Sequence, residues 1–146
     1  MKVVVQRVVC AECNINHQMV SQINQGFLLL VGFCDGDTSA KVKQAAKKIA
    51  NLRVFEDEAG KMNKSILDCQ GEILLISQFT LCADTSGGNR PSFINALHPD
   101  QATILYDELT SEFRNHYHIF VQVGVFGGDM KIGLINDGPV TIFLEF

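Results

Sequence analysis

The sequence predicts an α/β fold: a single domain, residues 1–146, of mixed and largely antiparallel β layers packed with two helices, in the order β-β-α-β-β-α-β-β-β. Three observations predict it. Gly26–Phe33 and Ile73–Ile76 are unbroken apolar runs, the pattern of strands buried on both faces. Residues 38–52 and 100–117 switch to helical spacing. After residue 118 the chain returns to short apolar segments, and the regular alternation of a doubly wound fold is missing. A chain of 146 residues suits one domain and needs no disulfide or metal staple to hold its core.

Along the chain, residues 2–9 read as a strand with Val3, Val5 and Val9 on one side. Arg7 falls on that same apolar side, so either it reaches a polar cluster with a function or the strand bulges. In the first helix Val42, Ala45, Ala46, Ile49 and Leu52 form one stripe, with Asp37 or Thr38 as its cap. A short strand near Leu52–Phe55 and a turn at Glu58-Ala59-Gly60 follow. Residues 72–81 are the clearest central strand. The second helix buries Ala102, Leu105, Tyr106, Leu109 and Phe113, and Asp100, Arg114 and His116 complement its dipole. Strands are expected near 119–125, 130–135 and 140–146, the last with Val140, Ile142, Leu144 and Phe146 on one face.

Composition narrows the function. The formal net charge of −4 argues against coating long nucleic acid through phosphate contacts, but not against gripping a short nucleic-acid end. Lys41, Lys43, Lys47, Lys48 and Arg53 read as a solvated helix face. No apolar run approaches the roughly 20 residues of a membrane span, and the first residues lack a signal-peptide pattern, so a cytoplasmic protein is expected. The five cysteines are read as ordinary reduced thiols; Cys10 and Cys13 form a C-x-x-C pair without the two further ligands of a zinc site. No metal and no cofactor are expected.

Chemistry can sit in two places. Ser77-Gln78-Phe79-Thr80 ends the most buried strand in polar residues, where open sheets bind ligands. On a regular strand Gln78 and Thr80 would share one face, Ser77 and Phe79 the other. Asn136-Asp137-Gly138-Pro139-Val140-Thr141 interrupts two apolar strands. Glycine has no Cβ and proline fixes φ, so this segment reads as a hairpin turn or as a rigid corner that recognises with main chain. No G-x-S-x-G elbow, H-E-x-x-H helix or P-loop is present. His17, His98, His116 and His118 read as surface residues, and no base to activate Thr80 is apparent.

Taken together, SQFTL at 77–81 and NDGPVT at 136–141 closely resemble the D-aminoacyl-tRNA deacylases. Gln6-Arg7-Val8, Gly60–Asn63, Ala83-Asp84, Arg90–Phe93 and Phe126–Met130 extend the resemblance over the whole chain. It implies a homodimer that hydrolyses the ester between a D-amino acid and the 3′ end of tRNA, and that also removes glycine from mischarged tRNA. It further implies a cis Gly138–Pro139 pair that crosses into the partner subunit and rejects L side chains. By the same resemblance Phe79 offers a main-chain oxyanion donor, Thr80 positions, and Ser77 and Gln78 orient. Asn136 belongs to the Gly-Pro segment, Met130 lines an adenine pocket, and Arg7 braces the Gly-Pro loop. The attacking water would be activated by the ribose 2′-OH. Two places depart from the family: Gly128 stands where alanine is common, and Val8–Cys13 is atypical.

Overall fold

The computed structural model describes residues 1–146. The elements are β1 (Lys2–Ile15), β2 (Gln18–Ile23), β3 (Gly26–Gly32), α1 (Ser39–Ala50), β4 (Phe55–Glu56), β5 (Met62–Lys64), β6 (Glu72–Ser77), α2 (Pro99–Ser111), β7 (Val121–Val123) and β8 (Lys131–Glu145). β1 pairs antiparallel with β3 along its first half, with β2 along its second, and with β8 along nearly its whole length. β6 joins β3 in parallel and β7 joins β6 in parallel, while β4 and β5 form a separate hairpin.

The two apolar runs are buried on both faces, as their composition predicts. Phe27, Leu29, Val31, Ile73 and Leu75 face the larger core beneath the helices. Leu28, Leu74 and Ile76 face a smaller core on the other side. α1 contributes Val42, Ala45, Ala46 and Ile49 to the larger core. α2 contributes Ala102, Leu105, Tyr106 and Leu109, then continues into a π turn over Glu112–His116 that buries Phe113. The Tyr106 hydroxyl donates to the Leu75 carbonyl at 2.6 Å, tying α2 to the central strand.

β1 serves both cores. Val3 and Val5 enter the larger one, Val8, Ala11 and Cys13 the smaller. Shifts in its register with β8, at Gln6/Val8 and Val8/Cys10, change which side faces inward. Val9 is therefore exposed, against the alternation expected of it. Arg7 does both things the sequence left open: it sits beside the bulge and reaches a polar cluster.

Several boundaries are corrected. The first strand runs on to Ile15 and turns through Asn16 and His17, both at positive φ, into β2, which was not expected. Thr38 occupies the N-cap of α1 without a side-chain cap bond. The Asp37 carboxylate instead accepts the Cys34 N–H at 2.7 Å and the Lys41 ammonium at 3.0 Å. The strand expected near Leu52–Phe55 is Phe55–Glu56, with Gly60 at φ +73° in the turn to β5. β7 has only three residues.

The two last strands are one. The ladder of β8 with β1 runs from Lys131 to Asn136 and again from Thr141 to Glu145, so Asn136–Pro139 is not a hairpin turn between two strands that pair with each other. Between them Asp137–Val140 stand opposite Arg7 alone, with no register partner on β1: β8 bulges there, and Pro139, which has no N–H to give, sits in the bulge.

Candidate active site

β6 ends as its polar residues begin. The Gln78 N–H donates to the Val31 carbonyl at 2.7 Å, extending the ladder by one bond. The chain then coils into a 3-10 turn over Phe79–Cys82, where a strand to residue 81 was expected. The cause lies on a neighbouring strand. A Cβ on Gly32 would stand 2.8 Å from the Gln78 carbonyl oxygen and 2.9 Å from the Leu81 Cβ, so its absence lets the turn lie on the end of β3.

The turn changes which groups meet. Gln78 and Thr80 are not alternate residues of a strand; the Gln78 Nε2 donates to the Thr80 Oγ1 at 2.5 Å inside the turn. An amide cannot take a proton from a hydroxyl, so this arrangement holds Thr80 without activating it. Phe79 and Thr80 open the turn and are exposed, and the turn supplies no acceptor for their N–H groups. Such groups suit an oxyanion. Just beyond, the Ser86 N–H donates to Asp84 at 2.9 Å and holds its carboxyl below the usual range.

A cleft of about 720 Å³ opens beside the turn. Ser77, Gln78 and Phe79 form one wall; Phe93, Leu97, His98 and Pro99 form a second; Phe126 to Met130 form a third. The Phe79 and Phe93 rings meet edge to face, 5.1 Å between centroids. Met130 enters because residue 124 is glycine: a Cβ there would stand 2.5 Å from the Met130 sulfur and 2.8 Å from Ile76 Cδ1. Gly128 is tight too, since a Cβ would meet the Val125 carbonyl oxygen at 3.1 Å.

Ser77, Gln78, Phe79 and Met130 thus line one cleft, with Thr80 on the adjoining turn. Asn136, Gly138 and Pro139 do not line it; they are exposed on β8. The Gly138–Pro139 peptide is cis and Gly138 has φ +121°. Arg7 backs this segment. Its buried guanidinium donates from Nε to the Asp137 carbonyl at 3.0 Å and from Nη1 to the Val54 carbonyl at 2.5 Å, with the Asp137 carboxylate 3.2 Å from Nε. The Gln6 amide donates to Asn136 Oδ1 at 2.8 Å.

Phe93, Leu97, Pro99 and Phe126 were not singled out as site residues, and His98 stands at the cleft rather than on featureless surface. The reading of the cysteines is corrected as well. Cys10, Cys13 and Cys69 are free, but Cys34 and Cys82 form a disulfide. Nothing local signals that pair, because its members are 48 residues apart.

Fold and site together define an α/β protein with a cleft at the carboxyl ends of parallel strands, bounded by apolar walls and a turn whose first main-chain donors are free. The comparisons give this class its family. The model of the D-Tyr-tRNA(Tyr) deacylases matches residues 4–145, and the chain belongs to that family. D-aminoacyl-tRNA deacylases of Lactobacillus gasseri and Lactobacillus acidophilus are each 50% identical over 146 residues, covering 99% of this chain and 99% of theirs. A solved c-Myc DNA unwinding element binding protein is 42% identical, with a TM-score of 0.95 over 100% of this chain and 99% of that one. A probable eukaryotic D-amino acid tRNA deacylase shares the fold at 17% identity, with a TM-score of 0.83 over 98% of this chain and 97% of that one.

Proposed function

We propose that this chain hydrolyses the ester joining a D-amino acid to the 3′-terminal adenosine of tRNA, releasing free amino acid and tRNA, and that it also clears glycine mischarged on tRNA. The family match over residues 4–145 carries this reading. The cleft beside the Phe79–Cys82 turn supports it. The adenine occupies the apolar end near Met130. The ester carbonyl faces the turn, where the Phe79 N–H stabilises the developing oxyanion. Gln78 and Ser77 orient the strand end, and Thr80 positions. Its hydroxyl has an amide for a partner, so the ribose 2′-OH activates the attacking water.

Selectivity comes from exclusion. The protein is a homodimer in which the Gly138–Pro139 segment of one subunit crosses into the cleft of the other. Its main-chain carbonyls occupy the space an L side chain would need; a D side chain points away and glycine has nothing to exclude. The exposure of this segment and its absence from its own chain's cleft lining support the crossing. Arg7 and Asn136 hold it in place. The acidic balance fits a protein that grips the 3′ end of tRNA and little else, and no helix is long and apolar enough to cross a membrane. We read it as one deacylase domain acting in the cytoplasm without a cofactor.

The deciding experiment compares cleavage of D-Tyr-tRNA and L-Tyr-tRNA by the wild type and by Pro139→Ala. The wild type should release D-tyrosine and leave the L-ester intact, and the variant should attack both. Failure of the wild type on the D-ester defeats the function; unchanged selectivity in the variant defeats the role of Pro139. A second reading, nucleic-acid binding without turnover, is favoured by the 42% identical c-Myc DNA unwinding element binding protein. It predicts salt-sensitive binding of single strands and no released amino acid.

A further inference from the structure

The disulfide lies beside the machinery of the proposed reaction but outside it. Cys82 closes the 3-10 turn that carries Phe79 and Thr80, and Cys34 follows β3. Beyond its packing on Gly32, the Gln78–Thr80 bond and the Phe79–Phe93 contact, the turn has few other ties. Its internal bonds, Leu81 N–H to Gln78 and Ala83 N–H to Thr80, are local, and the next main-chain anchor is the Asp84–Ser92 bridge on an exposed loop. The Cys34 end is firmly held. Its segment bridges Ala96, the Asp35 N–H donates to the Asn95 carbonyl at 2.8 Å, and the Leu97 N–H donates to the Phe33 carbonyl at 3.0 Å. The disulfide therefore fastens the carboxyl end of the turn to a wall shared with the substrate cleft.

A second cleft, of about 380 Å³, opens on the far side of that wall. It reaches both cysteines and shares no lining residue with the first. Cys34 is half-buried there and Cys82 is only 2% exposed, so Cys34 is the more accessible member of the pair. In a reducing compartment an accessible disulfide responds to the thiol pool.

We propose that Cys34 and Cys82 form a reversible thiol–disulfide site, served through the second cleft by small thiols and small disulfides, that sets the order of the Phe79–Cys82 turn. Its effect on catalysis rests on the deacylase reading; its chemistry does not. In reduction, a small thiolate attacks the Cys34 sulfur, the protein S–S bond breaks, and Cys82 leaves as a thiolate that takes up a proton. A second small thiolate attacks the outer sulfur of the mixed disulfide, a small disulfide leaves, and Cys34 is released. Oxidation is the reverse: one small disulfide is consumed, two protein thiols are oxidised, and two small thiols form.

The test uses the full chain equilibrated with glutathione disulfide or with dithiothreitol. Peptide mapping after iodoacetamide should find Cys34 and Cys82 joined in the first buffer and both alkylated in the second. Free Cys34 in both buffers overturns the site. Amide hydrogen exchange in peptides spanning residues 78–83 should be faster in the reduced protein, and Cys34→Ser should match the reduced protein in both buffers. Equal exchange in the two wild-type states overturns control of the turn. Single-turnover cleavage of D-Tyr-tRNA should slow about threefold to tenfold on reduction, the scale of a small misplacement of reacting groups, with Cys34→Ser insensitive to buffer. Equal rates overturn the catalytic consequence. Absence of cleavage in either state is a failure of the deacylase reading alone, and mapping and exchange still decide the redox site.

Discussion

Arg7 is the most demanding residue in the molecule. A guanidinium that is 4% exposed is tolerated only when its donors are matched, and the Asp137 and Val54 carbonyls match them. Replacing it with methionine keeps the stem and strands two carbonyls. Arg7→Met should lose about 2–4 kcal/mol in urea unfolding. It should also raise L-ester cleavage while D-ester cleavage persists, because the Arg7 Nη2 atom lies 3.0 Å from where a Cβ on Gly138 would stand. Lysine should not rescue it, since a single ammonium cannot replace a fork that spans both carbonyls. Gly124 makes a quieter demand. Gly124→Ala should push the Met130 sulfur out of its place, raising KM for the aminoacyl-tRNA about tenfold with a smaller change in kcat, as read from steady-state kinetics.

Among the elements, the parallel pair β3 and β6 tolerates least. A Cβ on Gly26 would fall on the Glu72 carbonyl oxygen, so Gly26→Ala should cost more than about 4 kcal/mol and be seen as lost soluble yield and lost circular dichroism. These strands were also the most legible, because a strand buried on both faces is apolar throughout and does not depend on register. Both helices were legible from their stripes. β2 was not: Met19 and Val20 are exposed while Ser21 is buried, so its pattern contradicts its place. β8 was misread because turn chemistry at Gly138–Pro139 is local evidence; the strand bulges at Asp137–Val140 and then resumes its pairing with β1 at Thr141 instead of turning back on itself. The site divides the same way. SQFT at a strand end announced itself, but the 3-10 turn depends on Gly32 and Cys34, far away in sequence. The other walls come from loops and a helix start, where no periodicity marks Phe93, Leu97 or Phe126.

For the whole molecule, the proposed crossing of the Gly138–Pro139 segment predicts a partner of its own kind. Ile135 and Phe143 are exposed on β8, the strand that carries the Gly138–Pro139 segment proposed to cross to a partner. Sedimentation should find a dimer, and mixing subunits should reveal how its sites are shared. Excess Thr80→Ala chains added to Pro139→Ala chains should quench cleavage of the L-ester, because each Pro139→Ala cleft then receives an intact Gly-Pro segment from its partner. Unquenched cleavage places the segment and the cleft in one chain. The pairing of β1 with β8 reaches further, into synthesis. β1 is completed by a strand made more than a hundred residues later, down to the Phe146 N–H on the Met1 carbonyl at 2.9 Å. While β8 is still within the ribosome, β1 carries an unpaired edge, and the apolar residues that Ile142 and Leu144 will cover stay bare. Until β8 arrives, the nascent sheet is open, and its bare edge can pair with the strands of other chains.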